Sequence, residues 1–93
     1  MDIVHDQTAS GGSYSITVDG HKAHMDYSRV SPRLIILSHT EVPDELRGQG
    51  ISMTLAKFVV ADARNGGWKI IPLCPFFKLL VERHPDWQDV ISH

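Results

Sequence analysis

Cys74 is the only thiol in this chain, which excludes an internal disulfide and a thiolate-rich metal site and fits a reducing cytosolic compartment. Basic residues occur as scattered singles, 9 against 11 acidic ones for a formal charge of -2, so the electrostatic footprint of a nucleic-acid or anionic-membrane binder is missing. No apolar stretch approaches the roughly 18 residues of a membrane span. The start, Met1-Asp2-Ile3-Val4-His5-Asp6, has no basic region leading into an apolar run. A cytoplasmic protein that binds neither nucleic acid nor membrane is expected. His21 and His24 fall on opposite faces of a strand, and His5, His84 and His93 have no ligand spacing, so no metal site is expected. With no repeat, linker or low-complexity tract, residues 1–93 read as one domain around a single small core.

What is present reads as a mixed α/β fold. Residues 3–9 and 13–18 are strand-like and flank Ser10-Gly11-Gly12, while Asp19-Gly20 is a tight-turn dipeptide leading into a half-buried strand over 21–29. In that strand Ala23, Met25 and Tyr27 alternate with Lys22, His24, Asp26 and Ser28. Val30-Ser31-Pro32-Arg33 breaks it. Residues 34–37 are continuously apolar and extend through Ser38 to Val42, which predicts a central strand covered on both faces at its start. Pro43-Asp44-Glu45-Leu46 turns the chain, and from Gly50 the period becomes helical, with Ile51, Leu55, Phe58 and Val59 as the core stripe. Asn65-Gly66-Gly67 stops that helix. Residues 68–73 form a short strand in which Pro72 cannot donate to a ladder, so pairing must end or splay there. Pro75 opens a last helix that His84-Pro85 halts, and Trp87 docks the tail. The order strand-strand-strand-strand-helix-strand-helix contains a strand-helix-strand crossover.

The most informative segment is Leu46-Arg47-Gly48-Gln49-Gly50-Ile51-Ser52, between a strand and a helix. A glycine turn there can cradle phosphate, because the first helical amides lack internal partners and the helix dipole adds positive potential. A ligand with a pyrophosphate is the expectation.

These residues, together with Val42-Pro43, resemble the acetyl-CoA signature of the GNAT N-acetyltransferases: Gln or Arg, two residues, Gly, one residue, then Gly or Ala. Ser52 stands at the last of those positions. The surrounding HTEVP, the Pro72-Leu73-Cys74-Pro75-Phe76 block and Arg83-His84-Pro85-Asp86-Trp87 are similar to the small single-domain members sometimes called minimal acetyltransferases. The resemblance implies a GNAT-like fold with a splay beside the central strand. It further implies acetyl-CoA as co-substrate, with Arg47, Gly48, Gln49, Gly50, Ile51 and Ser52 on the pyrophosphate. Thr40, Glu41 and Val42 would then lie along the pantetheine as an added strand would, with Phe76 and Phe77 beside the cofactor.

Acetyl transfer from a thioester to an amine needs a deprotonated amine, a stabilised oxyanion and a departing thiolate. The tyrosine acid of the resembled family is absent from the last helix, where Phe76 and Phe77 stand, and its usual glutamate base falls near Leu34. Cys74, ahead of a helix start, is the candidate transient acetyl acceptor, with core filling as the alternative. His39 and Glu41 share a face by period-two alternation and are the candidate base and orienter; a purely structural histidine is the alternative. The two missing residues equally support a non-catalytic acyl-CoA-binding or sensing module, and a small interaction domain is a third reading. The acceptor, a protein amine or a small amine, is not legible. Short turns between the first strands leave no room for covering helices, which implies an open cleft. Nothing demands an oligomer, and a monomer is the expectation.

Overall fold

The computed structural model describes residues 2–92; Met1 and His93 lie outside them. Five strands form one sheet in the order β1-β2-β3-β4-β5: β1 (Ile3–Gln7), β2 (Gly11–Val18), β3 (His21–Ser31), β4 (Leu34–Glu41) and β5 (Lys69–Pro72). The first four are antiparallel neighbours, and β5 runs parallel to β4 after the crossover helix α1 (Ile51–Gly66). Helix α2 (Pro75–Arg83) and a 3-10 turn (Pro85–Val90) complete the chain. Helix and strand order follow the periodicity of the sequence. Among the described residues no helix is long and apolar enough to cross a membrane.

One face of the sheet is the core face. Tyr14 and Ile16 of β2, Ala23, Met25 and Tyr27 of β3, Ile35 and Leu37 of β4 and Ile70 of β5 are buried there. They pack in one cluster with Ile51, Leu55, Val59 and Val60 of α1 and Phe77, Leu80 and Val81 of α2. Both helices cover that side, and the other side faces solvent. This corrects the expectation that 34–37 is covered on both faces: Ile35 and Leu37 are buried, whereas Leu34 and Ile36 are only half-buried. It also corrects Phe58, which is 39% exposed at the edge of the helix stripe with its ring edge-on to Tyr14.

Two readings of turn chemistry change as well. Gly11 and Gly12 begin β2, paired with Ser28 and Tyr27, rather than forming a loop, and position 11 takes glycine because a Cβ there would come within 2.3 Å of the Tyr27 carbonyl oxygen. β3 runs on through Val30 and Ser31, so Pro32-Arg33 alone makes the turn. The sheet is centred on β3, but β4 is where antiparallel pairing changes to parallel. The tail closes the structure: the amide of Ser92 donates to the Ile70 carbonyl at 2.8 Å, and Trp87 is buried against Phe77.

Candidate functional site

The site is built by where β4 stops pairing. β4 and β5 pair from Leu34 and Lys69 to Leu37 and Pro72, and no further. Pro72 has no amide hydrogen, and the next two amides, Leu73 and Cys74, both turn onto the Leu37 carbonyl at 3.1 and 2.9 Å, which carries the chain away into α2. On its other side β4 stays paired with β3 out to Glu41 and His24. The β5-facing edge of β4 beyond Leu37 is therefore without a strand partner, as Pro72 led the sequence reading to expect.

A bulge decides which side chains flank that edge. Tyr27 pairs with Leu37 but Asp26 pairs with His39, so Ser38 is an extra residue on β4. Its hydroxyl donates to the Asp26 carbonyl at 3.3 Å. Period-two alternation would set His39 and Glu41 on the face of Leu37; the bulge moves them to the solvent face and turns Thr40 to the core side. There His39 and Glu41 stay neighbours, Nε2 to Oε2 at 3.8 Å, both more than half exposed.

Beside the free edge, on the helix side, lies an open cavity of about 350 Å³ lined by Thr40, Val42, Leu46, Arg47, Gly48, Gly50, Ile51, Ser52 and Phe76. Leu46 is the lining residue that the sequence reading missed; it is 2% exposed and belongs to the core beneath the turn. Gly48 and Gly50 have φ of 82° and 71°, in the left-handed region, and a Cβ on either would meet nothing within 4 Å. They are required for the path of the backbone, and they leave the rim bare. Gly50 caps α1, whose first hydrogen bond runs from the Thr54 amide to the Gly50 carbonyl at 3.0 Å. The amides of Ile51, Ser52 and Met53 precede it and lack partners within the helix, so α1 opens with donors beside the cavity. Ser52 is half-buried in that wall. Arg47 is exposed at the mouth, its Nε 3.1 Å from Asp44.

The remaining expected residues divide. Gln49 points back along the turn and donates to the Glu45 carbonyl at 3.2 Å. Phe77 is fully buried against Trp87, so it is core and not a wall of the cavity, correcting its expected place beside the cofactor; Phe76, one residue earlier, takes that place. Cys74 is 4% exposed at the N-cap of α2 and donates through Sγ to Thr40 Oγ1 at 3.3 Å, one side chain behind the cavity wall. Both tyrosines are committed elsewhere. Tyr14 donates to Asp62 at 2.6 Å and its hydroxyl is pushed far above the usual range, chiefly by burial. Tyr27 meets His5 Nε2 at 2.6 Å and is likewise raised by burial. Neither is placed to act as an acid at the cavity. No group of three or more metal-ligating side chains is found among the described residues.

The sequence profile of a GCN5-related N-acetyl-transferase family matches residues 13–90. The chain is similar to Protein NATD1 of mouse, 32% identical over 74 residues, covering 77% of this chain and 67% of that protein. It is also similar to Protein NATD1 of chicken, 34% identical over 64 residues, 69% of this chain and 58% of that one. The fold is similar to a GCN5-like candidate N-acetyltransferase from Staphylococcus aureus solved by solution NMR, with a TM-score of 0.73 at 35% identity over 96% of this chain and 87% of the other.

Proposed function

Because the chain belongs to the GCN5-related N-acetyltransferase family, we propose that it moves acetyl from acetyl-CoA to an amine acceptor at the cavity beside β4. The observation that carries this reading is the continuity of three features in one place: the bare glycine turn, the unpartnered amides opening α1, and the unpaired edge of β4. Backbone amides from Gln49 to Ser52 would hold the pyrophosphate with Arg47 adding charge. The edge from Thr40 to Val42 would bond the pantetheine amides as an added strand does. Phe76 offers an aromatic wall.

The reacting carbonyl then lies where β4 and β5 part. Cys74 is within one side chain of that point, so acetyl passes first to its sulfur: the S–C bond forms, the bond to the CoA sulfur breaks, and the proton leaving Cys74 goes to the departing CoA sulfur, so CoA leaves as the thiol. A thiol with an ordinary pKa of about 8.5 departs without a dedicated acid, which suits a site without a tyrosine. The amine next attacks the acyl-cysteine, its proton goes to His39 on the solvent face, and Cys74 is released as thiolate. The acceptor approaches from the uncovered side of the sheet, open to a protein amine or a small polyamine. A cytosolic monomer is part of the same reading.

The test is the thermal shift on adding acetyl-CoA, with Arg47→Glu as control. Ligand at about 100 times its Kd adds roughly 2.7 kcal/mol, which raises the midpoint of a domain this size by on the order of 10 °C. A shift lost in Arg47→Glu supports the assignment, and no shift at saturating ligand overturns it.

A further inference from the structure

The solvent face of the sheet carries a polar group that ligand binding in the cavity does not use. Strand register sets two rows across it: Val4, Ser15, His24 and Glu41 in one, Asp6, Ser13, Asp26 and His39 in the next. His24 is the most enclosed of the four ionisable side chains at the β3–β4 end, 25% accessible against 39% for Asp26, 58% for His39 and 64% for Glu41. Its two nitrogens face two different carboxylates. Nδ1 is hydrogen-bonded to Asp26 Oδ1 at 3.0 Å, and Nε2 lies 3.3 Å from Glu41 Oε2. That same Glu41 oxygen lies 3.8 Å from His39 Nε2, an ion-pair separation too long for a hydrogen bond. The two imidazole rings are 6.0 Å apart.

A neutral imidazole has one N–H and one lone pair, so the geometry at each nitrogen, and not the charge of the ring, is what ties His24 to both carboxylates. Set between Asp26 and Glu41, the ring restrains a glutamate that would otherwise sample several rotamers in water. Among the described residues, register also places on this face Asp6 on β1, across β2, Lys22, two residues before His24 on β3, and Lys69 at the start of β5, whose Nζ donates to the Asp89 carbonyl at 2.7 Å.

We infer that His24, held by Asp26, is a positioning residue that keeps the Glu41 carboxylate beside His39. The negative charge of Glu41, 3.8 Å from Nε2, then favours the His39 tautomer with its proton on that nitrogen, leaving the Nδ1 lone pair to take the proton of the acceptor amine. That proton ends on His39 Nδ1, and the imidazolium so formed is stabilised by Glu41, which stays ionised. The inference rests on the reading of His39 as the base, and it needs neither Cys74 nor the cavity.

The experiment is nitrogen NMR of the histidine rings, with pH titration, on the wild-type protein, His24→Ala, His24→Gln and the nearly isosteric Asp26→Asn, alongside acetyl-transfer kinetics. His39 in the wild type is expected to show the Nε2–H tautomer; in His24→Ala the tautomers mix and its titration moves. Rate is expected to fall on the order of 10-fold in kcat, with KM for acetyl-CoA unchanged. His24→Gln, which restores one donor, recovers part of both, and Asp26→Asn follows His24→Ala with a smaller effect. A His39 spectrum and titration identical in the wild type and all three variants overturns the inference whatever the kinetics show. If the wild type transfers no acetyl, the acyl-transfer reading fails, and the His39 tautomer still decides whether His24 positions the pair.

Discussion

The thiol of Cys74 donates to the hydroxyl oxygen of Thr40 at 3.3 Å, across the place where β4 and β5 part. It joins the residue ahead of α2 to a side chain that lines the cavity, so the enclosed sulfur sits directly behind that wall. Incubation with acetyl-CoA is expected to add the mass of one acetyl group to the peptide containing Cys74, and Cys74→Ser is expected not to gain it. Full transfer rate in Cys74→Ser would exclude the covalent route. Cys74→Ala also removes a buried sulfur, and a stability loss of about 1 kcal/mol is expected in denaturant unfolding.

Gly50→Ala separates backbone conformation from ligand contact. With φ at 71° a Cβ costs roughly 1–2 kcal/mol of stability even though it would touch nothing. The same conformational cost applies to Gly20→Ala, at φ 79° in the β2–β3 turn. Both variants are expected to lower the urea midpoint, but only Gly50→Ala is expected to shrink the thermal shift with acetyl-CoA. Equal shifts in the two would place the ligand away from the glycine turn.

The Arg64 guanidinium donates to both carboxylate oxygens of Asp89 at 2.7 Å and to the Asp86 carbonyl at 3.1 Å, which ties the terminal turn to α1. These hydrogen bonds hold the Asp89 carboxyl below its ordinary range. In Arg64→Ala, hydrogen exchange at the Ser92 amide, which bonds Ile70, is expected to accelerate while protection in the middle of α1 is unchanged. The Asp89 carboxyl is expected to titrate higher in that variant, visible by carboxyl-carbon NMR.

His5 makes stability depend on pH in one direction. Burial lowers its pKa from 6.5 more than Asp62, 3.5 Å away, raises it. The unfolded chain therefore binds this proton more readily than the folded one, so stability falls as pH drops through 6.5 and is fully regained above it. His5→Gln is expected to flatten the slope of unfolding free energy between pH 7 and pH 5. It is also expected to lose some stability at pH 7, because the ring stacks on Tyr14 at 4.0 Å and bonds the Tyr27 hydroxyl. An unchanged slope would assign the pH dependence to other groups.

Local chemistry in the sequence determined the element order, the crossover and the glycine turn, because apolar period, Pro72, Asn65-Gly66-Gly67 and Arg47-Gly48-Gln49-Gly50 act within a few residues of themselves. Thr40, Val42, Arg47, Gly48, Gly50, Ile51 and Ser52, which the sequence offered for the cofactor, come together along one cavity because the strand, turn and helix that carry them are contiguous. Tertiary structure alone decided which side each residue serves. The bulge at Ser38 exists only as a mismatch between β3 and β4, and it sends His39 and Glu41 to the solvent face while turning Thr40 towards Cys74. His24 and Asp26 acquired their place beside Glu41 through the same register, and His5 met Tyr14, Tyr27 and Asp62 only once β1 had paired and α1 had crossed the sheet. Phe76 and Phe77 are chemically identical neighbours in sequence, and their opposite fates, cavity wall and core, follow from the 100° that a helix turns between them. Pairing register and helix phase against a sheet are relations between distant segments, so no window of the sequence contains them.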